Sequence, residues 1–214
     1  MTDLEDILSK IRRELETKDQ IREKVLLVSR EIVRLSTQAV VSIHREDLVD
    51  AKEKLDKSKE KIVEMESALE GWPELAYSGS VSIAYQEFVE AKLLLSFVVQ
   101  KKFLSQKELG VPSISYVLGL ADLVGELRRR ALDSIKKDDL NTAENCLTVM
   151  EDIYTLLMTI EHGDALAPGL RRKCDVARRL IEETRGDVAI ESRRSHLEKS
   201  IERLERAVRG KKLK

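Results

Sequence analysis

The chain has 214 residues, of which 36% are charged, 42% hydrophobic and only 4% aromatic, with 9 Gly and 3 Pro. So few breakers exclude a collagen-like or loop-dominated protein, and the scarcity of aromatic and β-branched runs argues against a sandwich or barrel. Lys and Arg number 38 against 39 Asp and Glu, so the whole chain does not have the basic balance of a typical nucleic-acid-binding domain. The charge is uneven, however: residues 168–214 carry +7 and residues 1–167 carry −8. A polyanion would therefore meet a local basic surface rather than a global field. Two cysteines, Cys146 and Cys174, are too few for a disulfide framework. No apolar run reaches the ~18 residues of a membrane span, and no leader pattern is evident. The composition reads as soluble and cytoplasmic, with no membrane partner. Scarce Asn and Gln beside abundant Glu, Lys and Arg is the thermophile pattern.

In chain order, a Thr2/Glu5 capping pattern opens a helix predicted over roughly 3–45. Its apolar positions are Leu4, Ile7, Leu8, Ile11 and Leu15, then Ile21, Val25, Val28, Ile32, Leu35 and Ala39, which is heptad spacing. A second helix, about 47–70, carries a charge run over Lys52–Lys61 that reads as a solvated face and stops at Gly71-Trp72-Pro73. A third runs from Ser78-Gly79-Ser80 to about Leu109, and a fourth covers about 113–136. Asp138, Asp139 and Asn141 offer caps for a fifth, ending before His162-Gly163, where His162 would complement the helix dipole. Pro168 suits the first turn of a last helix over about 168–209, which Gly186 could interrupt. The expected fold class is all-α: six or seven long antiparallel helices in one bundle spanning 1–214, with a disordered basic tail at about 210–214.

Two helices depart from simple amphipathicity. Val81–Val99 has no consistently polar face, which marks a buried helix, yet Glu87 and Glu90 stand in its middle, three apart and on one face. Ile114–Leu127 is similarly apolar and contains Asp122 and Glu126, four apart. A buried carboxylate must be paired, protonated or metal-bound. Four acids on two apolar helices can converge if the helices pack side by side, and an all-carboxylate site suits Mg²⁺ or Mn²⁺. A di-iron centre is excluded, because no Glu-x-x-His occurs. The competing reading makes these acids structural ion pairs with Lys92, Arg128 or a base on another helix.

Gln86-Glu87-Phe88-Val89-Glu90-Ala91 resembles the Q-E-Y-V-E-A segment found in the translin family, in its translin-associated factor X branch. Tyr116-Val117-Leu118-Gly119-Leu120-Ala121-Asp122-Leu123-Val124-Gly125-Glu126-Leu127 is similar to that branch's Y-L-L-G-V-A-D-L-x-G-E-L. The resemblance runs from about residue 20 to 162. It implies an all-α protomer of seven helices in a hollow homo-oligomer, an octamer, and a Mg²⁺-dependent endoribonuclease acting on single-stranded RNA, with single-stranded DNA a further ligand. It assigns catalysis and metal binding to Glu87, Glu90 and Asp122, with Glu126 a catalytic-site residue of undefined role. Only the short turn at 108–113 stands where larger homologues carry an insertion, which suggests a compact, prokaryotic-type member. The alternatives are a non-catalytic nucleic-acid-binding protein of the same family and a helical scaffold.

The nucleic-acid surface is less defined. The family's Lys-Arg pair after Ser36 is replaced here by Thr37 and Gln38. Arg30, Arg34 and Arg45 on the first helix are the candidate contacts, against the competing reading of surface ion pairs with nearby Glu23, Glu31 and Glu46. Arg171, Arg172 and Lys173 oppose the dipole at a helix start, a placement that phosphate contact would explain.

Overall fold

A sustained heptad pattern with no internal breaker gives α1 its length, Thr2–His44, 43 residues without interruption. The computed structural model describes residues 2–160 and 167–211, with side chains from residue 4 to residue 206. The Thr2 cap, His162 and the tail proposed at 210–214 therefore lie wholly or partly outside the described residues. The other helices are α2 (Leu48–Leu69), α3 (Gly79–Gln100), α4 (Gln106–Leu109), α5 (Ser113–Ile135), α6 (Leu140–Met158) and α7 (Leu170–Lys211). No strand occurs among the described residues. The chain divides into two compact units, residues 1–123 and 124–214.

In the first unit, α1 turns back into α2 through Glu46, which has a positive φ of 64°. The Asp47 carboxylate accepts from the Asp50 N–H and caps α2. α2 buries Ala51, Leu55, Ser58, Ile62, Met65 and Leu69, a strict 4-3 spacing. That row meets Val25, Ser29, Ile32, Ser36, Ala39 and Ile43 of α1, all 7% exposed or less. Two of the contacts are small and polar: Ser36 and Ser58 share a hydrogen bond at 3.1 Å, and the Ser29 hydroxyl donates to the Met65 sulfur at 3.3 Å. Small residues on the facing rows let the two helices pack closely while satisfying their hydroxyls. Packing of α1 ends near Lys18, whose ammonium meets Glu74 at 2.7 Å in the 3₁₀ turn Pro73–Tyr77.

α3 fills the remaining side of this unit, with Ala84, Phe88, Val89, Ala91, Leu93 and Leu94 fully buried. It ends nine residues earlier than the predicted Leu109. Lys101 takes a left-handed φ of 55° and caps α3 through its N–H on the Phe97 carbonyl. The chain then restarts at Ser105, whose side chain and Glu108 form a reciprocal capping box for α4. Gly110, expected to end the third helix, instead terminates the short α4, at φ 60°.

In the second unit, α7 lays Leu170, Cys174, Ala177, Ile181, Thr184 and Val188 inward. Asp139 caps α6 by accepting from the Thr142 N–H. Two expectations are corrected here. Gly186 does not interrupt α7, and Pro168 sits in the turn before it rather than in its first turn, with Gly169 at φ 84° supplying the reversal.

Candidate active site

The acids of the first motif ride on α3. Phe88, Val89 and Ala91 are fully buried, and this fixes Glu87 and Glu90 on the helix flank, where both are half-buried. α3 is consequently not enclosed all round: Ile83 is 51% and Val99 54% exposed, correcting the fully buried helix inferred from hydropathy. Asp122 is likewise half-buried between Ala121 and Leu123 of α5.

What brings the two motifs together is Gly119. A Cβ built there would lie 2.7 Å from the Gln86 carbonyl oxygen and 2.8 Å from the Val89 Cβ. Those distances are too short for any side chain, so α5 meets the backbone of α3 directly at this point. Gly119 precedes Asp122 by three residues, one helical turn. Its contacts Gln86 and Val89 are the chain neighbours of Glu87 and Glu90. The crossing of the helices thus falls within a turn of all three acids.

The donor set at this crossing is carboxylate only, the chemistry of a hard divalent cation. Among the described residues, however, no three His, Cys, Asp or Glu side chains form a group that could hold a metal ion as placed. Glu87, Glu90, Asp122 and Glu126 each have polar or ionic interactions. For Glu126, one turn further along α5, these include Arg129 at 3.9 Å. The two bases named in the ion-pair reading also have contacts on α2 and α7. Lys92 faces Asp56 at 3.5 Å. Arg128 donates to Thr184 at 2.8 Å and lies 3.2 Å from Glu183 and 3.4 Å from Asp187.

The candidate nucleic-acid residues divide. Arg30 is exposed on α1, and Arg45, placed on the first helix by the sequence, is exposed in the turn that follows it. Arg34 is spanned by Glu31 at 2.6 and 3.2 Å, and this hydrogen-bonded guanidinium holds the Glu31 carboxyl below the usual carboxylate range. Arg34 is thus a surface ion-pair residue in this structure. Arg171 and Arg172 are exposed in the first turn of α7, and Lys173 is half-buried.

Several groups that hold the site's surroundings were not foreseen. The Tyr85 hydroxyl donates to Glu66 at 2.7 Å, and burial together with that carboxylate raises its pKa. The Lys59 ammonium donates to the Leu109 carbonyl at 2.8 Å and lies over the Phe88 ring at 5.8 Å, tying α2 to the end of α4. The Tyr116 hydroxyl donates to the Leu104 carbonyl at 2.9 Å, fixing the start of α5 against the loop after α3. Lys59 lay inside the charge run that reads as solvated, and only its position beneath a buried aromatic separates it from its neighbours.

Residues 20–208 match the Translin family. The chain is 40% identical over 176 residues to an uncharacterized protein of Methanocaldococcus jannaschii, covering 81% of this chain and 78% of that protein. It is 22% identical over 182 residues to translin-associated protein X of Rattus norvegicus, spanning 66% of this chain and 63% of the rat protein. Among solved structures it is similar to AfC3PO, at 36% identity and a TM-score of 0.80, covering 86% of this chain and 96% of that one. An AfC3PO–duplex RNA complex aligns over the same shares with a TM-score of 0.79.

Proposed function

Since the chain belongs to the translin family, we propose that it is a divalent-metal-dependent endoribonuclease of the translin-associated factor X type, working on RNA within a homo-oligomeric, eight-subunit shell. The observation that carries the reading is the backbone contact at Gly119, which sets Glu87, Glu90 and Asp122 around one helix crossing. The likeness to AfC3PO, a protein seen with duplex RNA, supports RNA as the ligand class. Single-stranded RNA is the proposed substrate.

Three carboxylates beside a phosphodiester repel it, so this reading requires a cation, Mg²⁺ or Mn²⁺, between them. When bound, such an ion supplies charge neutralisation and a more acidic water. Glu87 and Glu90 offer oxygens from one face of α3, and Asp122 offers them from α5. Glu126 stands one turn outward, a further ligand or an outer base. The half-buried flank of α3 limits solvent at the acids, which strengthens every charge interaction there. Hydrolysis by water leaves a 5′-phosphate and a 3′-hydroxyl.

The test incubates purified protein with labelled single-stranded and duplex RNA, with and without Mg²⁺. Single-stranded RNA is cut, only with metal. Glu90→Gln and Asp122→Asn each lower cleavage by at least ~10²-fold while RNA affinity and melting temperature hold. Neutralising one member of a repulsive acid group relieves it, whereas an ion-paired acid would leave a stranded partner and lower the melting temperature. Variants that cleave at the wild-type rate, or that unfold, remove the nuclease reading. Binding without cleavage by the wild type would leave the non-catalytic alternative.

A further inference from the structure

The first four turns of α1 extend past the helices that cover the rest of it. Leu4, Ile7, Leu8, Ile11 and Leu15 are 60%, 47%, 55%, 47% and 59% exposed. They lie outside the span of the family match, which begins at residue 20. Beyond Lys18 the segment projects by about 20 Å at roughly 1.5 Å per residue. Its apolar row is not a new face. Leu4, Leu8, Ile11 and Leu15 continue, in unbroken 4-3 register through Lys18 and Arg22, into the buried row Val25, Ser29, Ile32, Ser36, Ala39 and Ile43. The helix carries one seam, of which α2 covers only the later part.

We propose that this projecting segment forms an antiparallel two-helix coil with the same segment of a second copy of the chain. In that arrangement Leu4 stacks on Leu15 of the other copy and Leu8 on Ile11, each twice by symmetry, so all four layers are filled by large aliphatic side chains. The residues flanking this seam decide the direction. In the antiparallel pair the flank of each helix brings Glu5 beside Arg12 of the other copy, twice by symmetry. In the parallel pair the flanks bring Asp19 beside Glu14, a repulsion. Arg12 bonds Glu16 of its own helix, at 2.8 Å, with both side chains exposed and able to exchange partners.

Among the described residues, a second exposed apolar row with this spacing is Ile190, Leu197, Ile201 and Leu204 of α7. Its flanking positions, Glu191, Glu198 and Glu205, are all acidic and would face Glu5 and Asp19 of α1, with Arg12 the one complementary charge on that flank. Charge therefore selects the second copy of α1 over α7. An isolated coil of this length is marginal, because helix nucleation is costly. Here the packed half of α1 already holds the helix, so that cost is met before the two copies associate.

Single-cysteine variants Leu8→Cys and Ile11→Cys, carried on chains with tags of different size, are mixed and oxidised. The native Cys146 and Cys174 are buried and give little background. The expected product is a cross-link between the two differently tagged chains. Glu5→Arg in both partners lowers its yield several-fold, and Glu5→Arg combined with Arg12→Glu restores it. Melting temperatures stay at wild type, since all four positions are exposed. Cross-links only between identical variants mean a parallel pair and overturn the proposal. No cross-link overturns it too, as does a yield lowered by Leu197→Arg with Ile201→Arg, which would place α7 on the seam.

Discussion

α1 and α7 are almost equal in length, 43 and 42 residues, and each is half packed and half bare. They differ in what happens to the apolar row at the point where packing ends. In α1 the row keeps its phase from the buried Ile43 to the exposed Leu4. In α7 it does not: the positions that follow Val188 in register are Glu191, Ser195 and Glu198, and the apolar residues move to Ile190, Leu197, Ile201 and Leu204. A step of two residues turns the face by ~200°. A seam that runs on in phase announces one continuous helix-pairing surface, while a seam that changes side announces that the helix leaves one environment for another. Exposure values alone would have scored the two ends as alike.

The comparison breaks most readily within α1. Ile32→Asp places an unpaired carboxylate at a position with no exposure and should cost at least about 4 kcal/mol, enough to unfold the first unit in a thermal melt. Leu8→Asp, on the same row four turns or more earlier, should leave the melting temperature within about 2 °C. Equal losses would mean that the projecting half is covered within the chain. A smaller effect sharpens the picture of α7. Gly186 is exposed and has no atom within 4 Å of a built Cβ. Gly186→Ala should stabilise the helix by about 0.5–1 kcal/mol, read as a rise of about 1–4 °C at roughly 2–4 °C per kcal/mol. A drop instead would show that α7 is bent or contacted there.

The smallest effect is one of pH. Arg34 keeps the Glu31 carboxyl below its ordinary value of 4.5, so the pair stabilises the folded state above that pH and loses its contribution as pH falls through the lowered value. The melting difference between wild type and Glu31→Gln should be about 1 °C at pH 7 and fall away as the carboxyl protonates in acid, and it should shrink in high salt. A difference that persists in acid would mean that Glu31 acts through packing.

Helix number and order were legible in the sequence because Gly110, Asp139 and the 4-3 apolar rows are local signals. The end of α3 was not. Residues 101–109 contain no Pro or Gly before Gly110, and the break depends on Lys101 adopting a left-handed conformation, a choice made by tertiary context. The apolar content of α3 predicted enclosure, but Ile83 and Val99 are exposed and Glu87 and Glu90 are half-buried on its flank. The acids themselves were readable as anomalies, and the crossing that joins them was present in the sequence as Gly119. Its role emerges only when Gln86 and Val89 are found against it. Arg34 shows what spacing can decide: Glu31, one turn back, made the surface ion pair one of the two readings, and the structure forms it.

Gly119 has one more consequence. Where helices are separated by side chains, their spacing drifts with every substitution in the layer between them. Where main chain rests on main chain, the spacing is set by covalent geometry and van der Waals radii alone. The separation of the segments bearing Glu87, Glu90 and Asp122 is therefore insulated from sequence change elsewhere in the core. A side chain at position 119 would force the two helices apart at that point.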